Sequence, residues 1–229
     1  IAHGLCGNWN RIAVIDTENY SASLFSELGE FQIINLTPPF SPEKYIEAIC
    51  LGEQKGIDVV IIDSITHEWE YIIETHASMQ GNSFTNWGKI TPRHNAFIQK
   101  ILQSPCHVIA TVRTKQDYVL NEKNGKQVPE KVGMKPIQRD DLDYDFTLGF
   151  ELNQDHNANA TKDRTGLFAE LHDFKITQDI GKQILAWCNH GEAVVNDRYV
   201  ETIKGFTSLQ DLYRYYNKNP HLQRRYFDH

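Results

Sequence analysis

Gly56-Ile-Asp-Val-Val-Ile-Ile-Asp63-Ser64 decides how this chain folds. Val59 to Ile62 run together without a helical period, and turn-forming residues bound them. Such a run reads as a strand buried on both faces, as in a parallel sheet with helices above and below. Asp63 and Ser64 then stand at its carboxyl end, where open α/β sheets bind ligands. An acid there can hold a Mg2+ ion, or a water on it, beside a nucleotide phosphate. It can equally cap the turn that follows. This stretch alone leaves both readings open.

The flanks repeat the pattern. Arg11-Ile-Ala-Val-Ile-Asp16 is a second short apolar strand, followed by Thr17-Glu18-Asn19 and a helically spaced run from Ser21 to Leu28. Phe31 to Leu36 is a third strand, ended by Pro38-Pro39. Ser41-Pro42 opens a helix to about Lys55, with Tyr45, Ile46, Ile49 and Cys50 on its buried face. Ile65 to Thr91 is rich in His, Trp and Glu and reads as a helix, an irregular loop and a return. A helix follows from Pro92 to Gln103, with Phe97, Ile98, Ile101 and Leu102 on one face. Cys106 to Val112 is another buried strand, with Arg113 and Lys115 at its carboxyl end. Asn124-Gly125 signals a tight hairpin turn, Asp145 to Leu152 a strand, and Ile180 to Asn189 an amphipathic helix. Strands alternating with helices define an α/β class.

The chain has 229 residues and a net charge of −7, with the composition of an ordinary globular protein. The charge excludes a generally basic nucleic-acid coat but not a local basic groove. Such a patch runs from Arg113 to Arg139, with seven lysines and arginines against Asp117, Glu122 and Glu130. A solvated charged hairpin is the commoner meaning of such a run. No run is long and apolar enough for a membrane span, and no signal peptide is evident. Cys6, Cys50, Cys106 and Cys188 form no Cys-x-x-Cys pair and read as free thiols of a cytoplasmic protein. His67, His76 and His94, with Glu70 and Glu74, match no zinc spacing. Trp69 and Trp87 could stack nucleic-acid bases, although such aromatics more often pack a loop onto its domain.

In this order, the Asp16-Thr17-Glu18 strand end, the Asp63 strand, the Val108–Arg113 strand and the Lys162-Asp163-Arg164 turn resemble the core of RecA-like ATPases. The likeness covers roughly residues 1–191 and is nearest to phage-type AAA/RecA-like proteins of recombination and single-strand annealing. It implies a three-layer α/β/α fold with a mostly parallel sheet, and a small helical extension over 192–229. It also implies ATP and Mg2+ as ligands. On that resemblance Asp63, with Ser64 beside it, matches the acid that holds the Mg2+-bound water. Glu18 matches the glutamate that polarises the attacking water. Arg113 and Lys115 stand where the family keeps a γ-phosphate sensor, often Gln. Lys162 and Arg164 match a turn that points into a neighbouring subunit's nucleotide, so the resemblance implies a homo-oligomer. Ile65–Thr91 and the Lys115–Lys135 hairpin match the two DNA-binding loops, with Lys123, Lys126, Lys131 and Lys135 toward single-stranded DNA.

One departure is large. The phosphate-binding motif Gly-x-x-x-x-Gly-Lys-Ser/Thr is nowhere in the sequence. Ile1-Ala-His-Gly-Leu-Cys-Gly7 reads as the end of a helix stopped by glycine. In the family the motif lies just before that helix, so the expectation is an upstream segment that carries it. The sheet as written would lack the motif's strand. The alternative is a non-catalytic DNA-binding or assembly module that keeps the fold without turnover.

Overall fold

The computed structural model describes residues 1–123 and 126–190, then 205, 206, 208, 210, 211, 214 and 215; side chains of 118–132 lie outside the description. The chain divides into a unit from Ile1 to Asn189 and a second from His190 to His229. In the first unit the order begins with α1 (Ala2–Cys6), β1 (Ile12–Asp16), β2 (Gln32–Asn35), α2 (Pro42–Gln54), β3 (Val59–Asp63), α3 (Thr66–Ser78), α4 (Ser83–Leu102) and β4 (His107–Ala110). It continues with β5 (Thr114–Lys123), β6 (Lys126–Pro136), β7 (Leu148–Leu152), β8 (Asn157–Asp163), β9 (Phe174–Lys175) and α5 (Gln178–Cys188).

Four strands form one parallel sheet in the order β2-β1-β3-β4. The register pairs Asp16 with Asp63, so both strand-end acids stand at the same edge. Alternation along each strand splits the apolar residues between two layers. Ala13, Ile15, Val60 and Ile62 face α2 and α4, where Tyr45, Ile49, Phe97, Ile98 and Ile101 complete a core. Ile12 and Val59 face the other way, against Leu5 of α1 and Ile184 and Leu185 of α5. The result is the three-layer α/β/α arrangement expected for a RecA-like core. α2 and α4 are further tied by Arg93, whose guanidinium forks onto Glu43 at 2.7 and 2.8 Å. That pair holds the Glu43 carboxyl down to about 2.

α1 and α5 cross at two glycines. A Cβ on Gly4 would fall 2.0 Å from the Gln178 carbonyl oxygen, and one on Gly181 would fall 2.2 Å from that of Ile1. Gly7 ends α1 in the left-handed region at φ 67°, as its sequence position predicts.

β5 and β6 make an antiparallel ladder from Thr114–Pro136 to Lys123–Lys126. The predicted Asn124-Gly125 turn lies outside the described residues. β7, β8 and β9 form a separate antiparallel sheet, packed by Phe150, Phe168 and Phe174 with ring centroids 5.0–5.7 Å apart. The predicted strand over 145–152 begins later, at Leu148, after a 3-10 turn over Leu142–Tyr144 and a bend over 145–147.

The region before Pro92 differs from expectation. Pro92 does not open a helix; it lies inside α4, nine residues after the start. Asn82 caps the first turn by accepting from the Phe84 and Thr85 amides at 2.9 and 3.3 Å. The missing Pro92 N–H leaves one helical carbonyl, that of Gly88, unmatched. Burial of Ile90, Phe97, Ile98 and Ile101 on one face carries the helix through. Among the described residues no helix is long and apolar enough to cross a membrane. In the second unit, Ser208 accepts from the Asp211 amide at 3.2 Å, and most of the predicted Ser208–Tyr226 helix lies outside the described residues.

Candidate nucleotide site

The site grows from the turns after β1 and β3. Asp16 is buried, and its carboxylate accepts from the Glu18 amide at 2.7 Å and the Ala22 amide at 2.8 Å. Asp16 therefore shapes the turn that carries Glu18, the capping role open to Asp63 by its position. Thr17 bridges to the neighbouring strand end. Its hydroxyl accepts from the Ser64 amide at 2.8 Å and donates toward the Asp63 carbonyl at 3.0 Å. Tyr45 donates from beneath to the Ser64 carbonyl at 3.0 Å. The Asp63–Ser64 peptide is cis. These bonds lock the two turns together and fix where Glu18 and Ser64 meet.

Three side chains converge on the Glu18 carboxylate. Ser64 Oγ donates to Oε1 at 3.0 Å. Arg113 donates through Nη2 to Oε2. His67 Nε2 stands 3.3 Å from Oε1. Burial would raise the Glu18 pKa, but the hydrogen bonds from Arg113 and Ser64, with the Arg113 charge, outweigh it and leave the carboxyl below its ordinary value. The glutamate is thus ionised near neutrality and held in one orientation. It borders a cleft of about 340 Å³ with Asp16, Thr17, Asn35, Phe40, His67 and Arg113.

Asp63 lies one strand over from Glu18 and does not line that cleft. Thr111, just past β4, donates to Asp63 Oδ1 at 2.6 Å. A half-buried carboxylate with a hydroxyl beside it is a hard-oxygen donor set, which fits Mg2+ or a water on it. Among the described residues no group of three or more His, Cys, Asp or Glu could enclose a metal. A magnesium ion here would take most of its ligands from phosphate and water, its common habit.

Of the predicted site residues, Glu18, Ser64 and Arg113 come together, and Asp63 stands at the same sheet edge outside the Glu18 cleft. Ser64 is buried, and its hydroxyl donates to Glu18. Lys115 lines a different cleft, of about 670 Å³, with Trp69, Trp87, Lys135 and Arg139. Lys162 and Arg164 do not line the Glu18 cleft; both donate to the Tyr144 carbonyl, the Arg164 bond at 2.6 Å. Beside them Asp163 collects the Thr165, Gly166 and Phe168 amides at 2.7–3.0 Å, the geometry of a tight polar turn. Lys135 pairs with Asp140 at 2.7 Å. The side chains of Lys123, Lys126 and Lys131 lie outside the described residues.

Nothing in the local sequence marks Thr17, Thr111, Tyr45 or His67 for this site. The three histidines whose spacing fits no zinc signature also lie apart in their bonding. His67 is at Glu18, His76 stacks on Trp87 at 4.2 Å, and His94 is buried against Glu68 at 2.9 Å.

A parallel sheet between helical layers, with acids at the carboxyl ends of two adjacent strands, fits a RecA-like fold, and open α/β sheets bind ligands at that edge. The AAA domain family model matches residues 5–176, well over half of the chain. The chain belongs to the AAA domain family, whose members are nucleotide-binding ATPases. No curated protein and no solved structure matches it.

Proposed function

We propose that this chain is the ATP-hydrolysing core of a protein that acts on single-stranded DNA, of the phage recombination and annealing type. The observation that carries the nucleotide half is the Glu18 carboxylate, gathered with Ser64, Arg113 and the Asp63 turn at one sheet edge. In this reading Glu18 polarises the attacking water, Arg113 meets the γ-phosphate, and Asp63 with Thr111 holds Mg2+ through water. The ion would offset charge on the phosphate oxygens. A P-loop is not among the 229 residues. β4 ends the sheet, and among the described residues no strand pairs with its outer side. That edge is where a P-loop strand would add.

The DNA half is supported by the basic hairpin and by the larger cleft. Trp69 and Trp87, with ring centroids 6.1 Å apart, line that cleft together with Lys115, although Asp117, Asp140 and Asp141 also line it. A test is the salt dependence of single-stranded DNA binding. Replacing Lys123, Lys126 and Lys131 together should flatten the slope of log K against log salt by about 0.7 for each phosphate no longer neutralised. An unchanged affinity and slope would mean that these lysines are only solvated.

The reading includes a homo-oligomer in which Lys162 and Arg164 reach the neighbour's nucleotide, a cation supplied across an interface. Arg164→Ala and Glu18→Gln subunits, each impaired alone, should then regain partial activity when mixed. No recovery despite demonstrated mixed assembly would remove the trans role and leave the two side chains as braces of the Tyr144 turn.

A further inference from the structure

His67 has no role in the reading above, yet it touches the residue on which that reading depends. It is the second residue of α3, and the start of that helix is pinned to the strand ends. The Thr66 hydroxyl accepts from the Arg113 amide at 3.0 Å, and the Ile65 amide donates to the Thr111 carbonyl at 3.1 Å. The imidazole stacks on Phe40, centroids 4.9 Å apart and planes 21° apart, which fixes its plane. Its Nδ1 stands 3.0 Å from Glu70 Oε2 and its Nε2 3.3 Å from Glu18 Oε1. The ring thus lies between two carboxylates, one facing the cleft and one 44% exposed.

We propose that His67 is a positioning residue that helps to aim the Glu18 carboxylate into the cleft. The proposal rests on the reading of Glu18 as the water-polarising group. Ionised carboxylates only accept hydrogen bonds. The ring is held by Phe40 and Glu70 with Nε2 directed at Glu18 Oε1. Without it the carboxylate is held at Oε2 by Arg113 and at Oε1 by Ser64 alone. The charged and titratable groups bearing on the ring are Glu18 after β1, Glu70 on α3 and, through Glu18, Arg113 after β4. Phe40, before α2, contributes only its face.

His67→Ala should lower kcat about ten- to a hundredfold, the scale of a misaligned catalytic group. His67→Gln keeps a donor at that place and should recover most of the loss. Affinity for the nucleotide should stay within about twofold in both variants, because neither removes a group assigned to the phosphates.

The experiment measures kcat, nucleotide affinity and melting temperature of the natural full-length protein, His67→Gln, His67→Ala and Glu18→Gln. The expected result is a lowered kcat in His67→Ala at unchanged affinity and melting temperature, and a kcat near that of the wild type in His67→Gln. Wild-type kcat in both His67 variants, with Glu18→Gln inactive, would overturn the positioning role and leave the Glu18 reading standing. Wild-type kcat in Glu18→Gln would overturn both.

Discussion

Glu18→Gln should lower kcat for ATP hydrolysis by roughly 10²–10⁴ in the natural full-length protein, the range for loss of a general base. Nucleotide affinity should change little. The amide keeps the shape of the side chain and can still accept from Ser64 Oγ, which stands 3.0 Å from Oε1. It loses the charge that draws a proton from water and that pairs with Arg113. A fall in kcat and kcat/KM together, with unchanged binding, marks an interaction made in the transition state. Steady-state turnover and equilibrium binding of Mg2+·ATP separate the two effects. An unchanged kcat would take Glu18 out of the mechanism, and the non-catalytic module would become the better account.

Gly181→Ala should cost about 3 kcal/mol, the upper end for overpacking, because the new methyl meets backbone rather than a flexible side chain. The clashing atom is the Ile1 carbonyl oxygen, 2.2 Å from the Cβ position, with Gly4 Cα at 2.9 Å. α1 and α5 must move apart, and the layer over Ile12 and Val59 opens with them. For a chain of this size the loss corresponds to a melting temperature lower by about 6–12 °C. Gly88→Ala should act in the opposite sense. Its Cβ meets nothing within 4 Å, so replacing an exposed helical glycine should gain up to about 1 kcal/mol. Thermal melts of the two variants check the pair. Equal melting temperatures would mean that the α1–α5 crossing does not hold the layer.

The local signals in the sequence reach far because they are short-range. The apolar runs of β1 and β3 bury on both faces, which needs no partner to be read. Gly7 stops α1 by its own backbone freedom. Strand-end position singles out Asp63, and the family resemblance adds Glu18. The bonds around Glu18 are not legible, since Ser64 lies 46 residues away and Arg113 95. His67 invites comparison with metal spacings, whereas its partners are carboxylates brought in by another strand and by its own helix. Lys115 follows Arg113 by two residues, yet β5 carries it to the other cleft. Pro92 misleads because a cap ten residues earlier, and a buried face beyond, outweigh one missing helical bond.

The central claim is that nucleotide and metal meet at the Glu18–Asp63 edge of the sheet. A crystal structure of the natural full-length protein with Mg2+ and a non-hydrolysable ATP analogue tests it most directly. The account predicts the ion on Asp63, directly or through one water, and an ordered water between Glu18 and the γ-phosphate, with Arg113 turned to the phosphate. A nucleotide bound away from that edge, for example in the cleft lined by Trp69 and Trp87, with Glu18 still paired to Arg113, would contradict it.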